Sequence, residues 1–570
     1  MHRPLATLIA VALTVAACTP ASSDPTSTTA LTSSTSGVTT TTESTEPIAG
    51  QVRIGVDSPI LTLNPLSDEL FGANRLVGQA VWATVYTIEP ETWNRVPNVV
   101  SSLPSQTPGA IEIAEDGSMT VRYEVVKGAT WSDGTPITGD DIAFTAEAMA
   151  SVASGDSASV MSAVIATDAV DRLAWITFSS ASLAFEDALR VILPAHAISG
   201  ATDLRTDDGM HWPSGGPFMV SAEQTGRDLV LERNPHYWKS DDQGTQLPYL
   251  DGVTVISPEE PGGEVDLFAD GFVDIIVPSQ SPDVLDRLEA FAAAGADVQQ
   301  VPTPIVEHLT FQFAGGRDLV NDQSNNDLLD FRMAVAHSID RPGLLELTGV
   351  PWISEAPGML VPIGASAWQT YDFDPARGKS LVEDMHGEAV TGVPPVSVLS
   401  TTGNGDARIA IGDALVEAFG DVGIDLSTSY LDSLIFFGET IGTGAFDIGM
   451  WAWVSDGGYG NQLSLLELFD PASEAADANF GNWGFGVSAG TATETFSELV
   501  AAARTTTDAA AFSEIIARAE ELLAENLPMI PLFMRSSTAA VRSEAVSGVV
   551  HNGSVSEITW NVETWRIPNG

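Results

Sequence analysis

Residues 121–149, VRYEVVKGATWSDGTPITGDDIAFTAEAM, restrict the folds open to this chain more than any other stretch, because a strand, a turn and a helix follow one another there with mutually consistent chemistry. Val121, Tyr123 and Val125 alternate with Arg122 and Glu124, the period of a strand with one buried face. Lys127-Gly128 ends it. After Trp131, Ser132-Asp133-Gly134 supplies an aspartate that can close its own turn and a glycine able to take positive φ, and Pro136 keeps Thr135 out of the helical region. Thr138 stands at the N-cap position with Asp141 at the third helical position, a short form of the capping box, and Ile142, Ala146 and Met149 supply the apolar face. The unit reads as scaffold; nothing in it is catalytic.

The first residues carry an address. His2 and Arg3 precede an almost wholly apolar run over residues 5–17, too short to span a bilayer as a mature helix, which predicts a secretion signal at 1–17. It ends in Val15-Ala16-Ala17-Cys18, which resembles a bacterial lipobox, so Cys18 is the expected lipidation site and first mature residue. Cys18 is also the one cysteine of the chain, which rules out an internal disulfide. Residues 18–50 are dominated by Thr and Ser and cannot bury enough apolar surface to fold, so they are expected to form a disordered tether, open to O-glycosylation.

From Gln51 onward about 520 residues remain, enough for three or four domain-sized units with their own cores. With 76 acidic against 24 basic residues, the net charge of −52 argues against nucleic acid or an anionic membrane surface as a partner, since phosphates would be repelled. The eight histidines are scattered, with no H-E-x-x-H and no pair at metal-ligand spacing, and neither a G-x-S-x-G elbow nor a phosphate loop is present. No enzyme, metal or cofactor is expected on these grounds. No period of 20 to 50 residues repeats.

The run W-S-D-G-T-P-I-T-G-D-D-I-A-F resembles the signature of the family 5 extracytoplasmic solute-binding proteins, the dipeptide and oligopeptide-binding lipoproteins of ABC importers. Further stretches resemble that family in its own order. Val52 to Val56 followed by Leu63-Asn64-Pro65 resembles its first strand and cleft-side turn. Ile192-Leu193-Pro194-Ala195-His196 resembles its exit from an inserted subdomain, which makes His196 structural. Gly215-Gly216-Pro217-Phe218 with Arg233-Asn234-Pro235-His236-Tyr237-Trp238, then Phe331 to Arg341, then Leu527-Pro528-Met529-Ile530-Pro531 continue the series. Arg332 and Asp340 read as partners in holding their helix, and Tyr237 and Trp238 as core anchors.

The resemblance implies an α/β, two-lobed periplasmic-binding-protein-like fold of type II, in the large peptide-binding cluster. Lobe I would comprise 51–303 plus 530–570 with an inserted subdomain at 91–203, and lobe II 304–529. Two backbone crossings between lobes are what a hinge requires. Gly444-Ala445-Phe446-Asp447-Ile448-Gly449-Met450-Trp451-Ala452-Trp453-Val454-Ser455-Asp456 resembles the segment in which the family's Trp walls the cleft and its Asp receives a peptide ammonium. Carried over, these are Trp453 and Asp456, with Asn64, Trp451 and Tyr459 as further cleft residues; Asp447 is structural. A charge-assisted hydrogen bond to an ammonium in a closed cleft is about twice as strong as a neutral one. The bland alternative for Asp456 is an N-cap of a helix beginning near Leu463. Gly457-Gly458-Tyr459-Gly460 departs from the family pattern, and the upstream positions that can bear arginine are Ile441 and Met450, which leaves the acidic end of a ligand without an evident partner.

The function implied is a monomeric, lipid-anchored protein on the extracytoplasmic face of the cell membrane that delivers peptides or other small solutes to an ABC permease. The alternative is an envelope lipoprotein of the same fold, as in some actinobacteria, that regulates lipoglycan or cell-wall synthesis.

Overall fold

The computed structural model describes residues 50–568 apart from 68–71, 153–157, 202–203, 223–227, 259–261, 280, 314–328, 348–357, 361–367, 369–370, 387–395, 402–404, 433–434, 473–478 and 485–489. The expected signal at 1–17, Cys18 and the expected tether up to residue 49 lie outside them. Gly50 belongs to the fold and not to the tether: its carbonyl accepts the Asp251 N–H at 2.8 Å, and its φ of +83° suits a residue without a β-carbon.

A ten-stranded mixed sheet organises the described chain. In spatial order it runs Phe218–Val220, Leu229–Arg233, Gly252–Ile256, Gln51–Gly55, Ile275–Ile276, Met529–Val541, Asp297–Phe311, Ile448–Val454, Val396–Thr401 and Leu426–Leu431. Parallel pairing joins Gln51–Gly55 to both its neighbours and also the last three strands in the list, whereas the two long central strands pair antiparallel. Those two, 15 and 13 residues long, run beside each other from Asp297 opposite Val541 to Thr310 opposite Met529.

The long strands belong to two cores at once. Ala539 and Val541 pack with Val52, Ile54, Val253 and Val255, whereas Leu309, Phe311, Ile530 and Leu532 pack with Phe331, Val398, Ile448 and Leu522. Between the two ends the register breaks twice, between Pro302 and Val306 and between Glu307 and His308. A bulge leaves an unpaired residue and bends the strand, so the sheet changes direction here. Buried Glu307 sits at this point, met by Arg408 Nη2 at 2.9 Å and by Arg535.

A third core lies under a separate four-stranded antiparallel sheet, Ile111–Ile113, Met119–Glu124, Leu173–Phe178 and Val164–Val170. Val121 and Tyr123 are buried while Arg122 and Glu124 are half-buried, as the alternation predicts. The helix after the turn spans Gly139–Val152, and Asp141 Oδ2 accepts the Thr138 N–H at 2.9 Å, the reciprocal half of the capping box. Asp141 also receives the Ala195 N–H at 3.0 Å, so the signature turn and the Ile192-Leu193-Pro194 segment are bonded to each other. His196 Nε2 lies 2.8 Å from Asp133 Oδ2, a structural partner.

Arg332 and Asp340 hold different helix ends. Arg332 donates twice to the carbonyl of Asn526, which ends helix Ala509–Asn526, and Asp340 Oδ1 accepts the Gly343 N–H at 3.1 Å in the first turn of Arg341–Leu347. Spacing along one helix gave no hint that their partners lie on other elements.

Candidate functional site

The strand Ile448–Val454 leads into a loop, residues 455–458, that meets the small-sheet layer. Asp456 Oδ1 accepts the Gly458 N–H at 2.8 Å, an Asx-type turn, and the Asp456 N–H donates to Asn461 Oδ1 at 2.9 Å. Gly457 takes φ +74°, the left-handed region that this turn needs. The helix that follows spans Tyr459–Glu467 with Gly458 as its N-cap, so Asp456 is not the cap of a helix beginning near Leu463. Oδ2 of Asp456 has no hydrogen-bond partner among the described residues, and the side chain is half-buried.

Across from this loop stand Arg95, on the hairpin strand Arg95–Pro97, and Asp187, in the short helix Phe185–Ala188. They form an ion pair, and Asp187 Oδ2 accepts the backbone N–H of Gly460. The Arg95 guanidinium lies over the Tyr86 ring at 5.4 Å. Arg190 completes the group, its Nη2 donating to the Val555 carbonyl at 2.6 Å. Burial pushes Tyr86 up to about 12, with the Asp187 charge adding to it, and burial lowers Arg190 to about 10, which leaves it a cation at neutral pH. Burial raises Asp187 to about 6; Arg95 opposes that rise and the negative charge of Asp456 adds to it. Asp456 therefore shares one electrostatic field with Tyr86, Arg95, Asp187 and Arg190.

Of the expected cleft residues, Asp456 and Tyr459 are brought to this group. Tyr459 is half-buried, edge-on to Phe512 at 5.2 Å. Trp453 is half-buried and stacked on Phe480, ring centroids 6.0 Å apart and planes 15° from parallel. Trp451 is 1% exposed and belongs to an aromatic core with His308, Phe436 and Phe446, which replaces the expected ligand contact. Asn64 is fully buried, and its carboxamide is committed to the Leu204 and Asp207 carbonyls and the Leu66 N–H, so it organises a turn and has no surface for a solute. Arg95, Asp187 and Arg190 carry no local sequence signal, because Arg95 meets Asp187 92 residues on, and Asp187 and Arg190 meet Gly460 and Val555, 273 and 365 residues on. A separate apolar cavity, lined by Leu63, Trp82, Trp131, Met210 and Trp212, shares no residue with this group.

The family model for bacterial extracellular solute-binding proteins, family 5, matches residues 96–476. The chain belongs to this family. The oligopeptide-binding protein OppA of Mycobacterium tuberculosis is 25% identical over 414 residues, 66% of this chain and 64% of that protein's length. The chain thus matches a little under two thirds of that relative. A periplasmic alpha-galactoside-binding protein of Rhizobium meliloti is 26% identical over 369 residues, 58% of this chain and 50% of its own length. Among solved structures, the ABC transporter substrate binding protein CtaP of Listeria monocytogenes superposes with a TM-score of 0.71 at 18% identity, covering 91% of this chain and 99% of that one. This family 5 protein accordingly has the two-lobed, mixed α/β binding-protein fold. Among its described residues no helix is long and apolar enough to cross a membrane.

Proposed function

We propose that this chain is an extracytoplasmic solute-binding lipoprotein, anchored through Cys18, that binds short peptides between its lobes and presents them as a monomer to an ABC permease. Lobe I is residues 51–303 plus 530–570 with an inserted subdomain at 91–203, and lobe II is residues 304–529. The break in strand register between Pro302 and Val306 falls at the proposed crossing and supports a hinge there. Solute that touches both lobes favours the closed arrangement by its differential affinity for it, and that arrangement is what a permease reads.

One observation carries the reading. Asp456 keeps Oδ2 free of hydrogen bonds to described residues on a half-buried side chain, and its charge reaches Arg95 and Asp187 of the proposed inserted subdomain, which supports a place for a ligand ammonium where the proposed lobes meet. Native mass spectrometry of protein purified without denaturation tests it: short peptides should be recovered. Recovery of a lipid or glycolipid, with no calorimetric binding of dipeptides to pentapeptides, overturns it.

A further inference from the structure

We propose that Arg190 receives an oxyanion of the solute, so that the cleft selects a compact zwitterion, its ammonium on Asp456 and its carboxylate-type group on Arg190. This rests on the cleft reading above and narrows it to amino acids and the shortest peptides.

The first ground is an imbalance. Acidic residues outnumber basic ones 76 to 24; buried Arg332 and Arg341 each donate twice to backbone carbonyls, and Arg53 and Arg408 meet carboxylates directly, Asp274 at 2.7 Å and Glu307 at 2.9 Å. Arg190 does not: among the described residues no carboxylate lies within ion-pair distance of it. Glu557, whose charge reaches Arg190, is already paired with Arg75 at 2.7 Å, and Asp187 with Arg95. A guanidinium carries five N–H donors in a rigid fork. Here the Val555 carbonyl takes one, and the buried Nε has no acceptor. Leaving a buried donor of this half-buried cation unmet is costly, which an incoming oxyanion would relieve.

The second ground is placement. The Arg190 carbonyl accepts the Val85 N–H at 2.7 Å, directly before the two-residue pairing of Val191–Ile192 with Ala83–Thr84, so its backbone is pinned beside Tyr86. Tyr86 in turn supports Arg95, and Arg95 abuts the loop that carries Asp456. An anion receptor from one lobe and a cation receptor from the other therefore stand in a single cluster. That limits how far apart the solute's charges can be. In an extended peptide the termini separate by roughly 3.3 Å for each added residue, so a pentapeptide places its carboxylate well beyond the cluster.

Calorimetry with four probes tests this on the wild type, Arg190→Gln and Arg190→Lys: alanyl-alanine, its N-acetyl derivative, its C-terminal amide and pentaalanine. Alanyl-alanine should bind the wild type at least about tenfold more tightly than either the amide or pentaalanine, and Arg190→Gln should abolish the advantage over the amide. Arg190→Lys, which keeps the charge and loses the fork, should fall between, and it carries the test if Arg190→Gln does not fold. N-acetyl-alanyl-alanine should still bind in an Arg190-dependent way. Carboxylate probes that bind both variants as tightly as the wild type, or that fail to bind the wild type at all, overturn the oxyanion site. Arg190-dependent binding of the acetylated probe with none of the free dipeptide retains that site and overturns instead the ammonium reading of Asp456.

Discussion

Gly458 and Arg95 meet with no room for a side chain between them: a β-carbon built on Gly458 would fall 2.0 Å from Arg95 Nη2 and 2.5 Å from Asp187 Oδ2. The Gly457-Gly458-Tyr459-Gly460 run that departs from the family pattern is thus the surface on which the Arg95–Asp187 pair rests. Gly458 has φ −72° and ψ 152°, which alanine adopts without strain. Gly458→Ala should therefore leave the fold intact and push the ion pair aside. The expected outcome is a thermal midpoint close to wild type with solute affinity weakened by about threefold to tenfold, read by calorimetry beside a melting curve. Unchanged affinity would show that the loop and the pair do not close together.

Asp456→Asn keeps the turn, since an amide oxygen can still accept the Gly458 N–H, and removes the charge offered to an ammonium. Affinity for a peptide with a free amino terminus should fall at least about tenfold, about 1.4 kcal/mol. An N-acetylated peptide should not discriminate between the two proteins. Equal dissociation constants for the free peptide would take Asp456 out of the site.

The two tryptophans two residues apart should separate by readout. Trp451 lies in an aromatic core, so Trp451→Ala should cost about 3–5 kcal/mol of stability in urea titrations. Trp453 is half-buried on Phe480, and Trp453→Ala should lower affinity by a larger factor than it lowers the denaturation midpoint. The reverse pattern would assign the cleft wall to Trp451.

These contrasts show what a linear reading captures. The alternation of Val121 and Tyr123 and the pairing of Thr138 with Asp141 are local, so the strand, turn and helix are legible in the sequence itself. Asp456 stands in a contiguous segment that names a candidate, but not the Arg95 and Asp187 beside which the fold places it. Trp451 was misplaced because its burial depends on His308, opposite it in the neighbouring strand. Asn64 was misplaced because its partners are carbonyls at residues 204 and 207, to which side-chain type gives no clue. Arg190 and Asp187 were invisible because tertiary folding alone brings their charges to Asp456.

Glu307 holds the bulged part of the central strands through Arg408 and Arg535, and the carboxyl is kept low by the two guanidinium groups against a large opposing effect of burial. Replacing it removes one negative charge and leaves two cations, one of them almost wholly buried. Glu307→Gln should destabilise the protein by about 3–5 kcal/mol, the usual cost of breaking rather than replacing a buried pair. Equilibrium denaturation in urea reads this directly. A loss under about 1 kcal/mol would mean that water reaches the triad and that the strands can shift there.

His308 and His551 give the fold a defined response to acid. Both are buried, and burial pushes each imidazole down to about 4. His308 Nε2 has no partner among the described residues, and His551 Nε2 lies 2.9 Å from Ser537 Oγ. In the unfolded chain each titrates near 6.5, so between about 6.5 and 4 the unfolded state binds protons that the folded state excludes. The stability they contribute is complete above about 6.5 and is lost progressively as the pH falls toward 4. At pH 5 each histidine accounts for about 2 kcal/mol of that loss. The many surface carboxylates also titrate in acid, so the test is a difference: urea midpoints at pH 7 and pH 5 for wild type and for His551→Gln. The variant should lose about 2 kcal/mol less on acidification. Parallel losses in the two proteins would mean that His551 accepts a proton in the folded state and that its surroundings open to water.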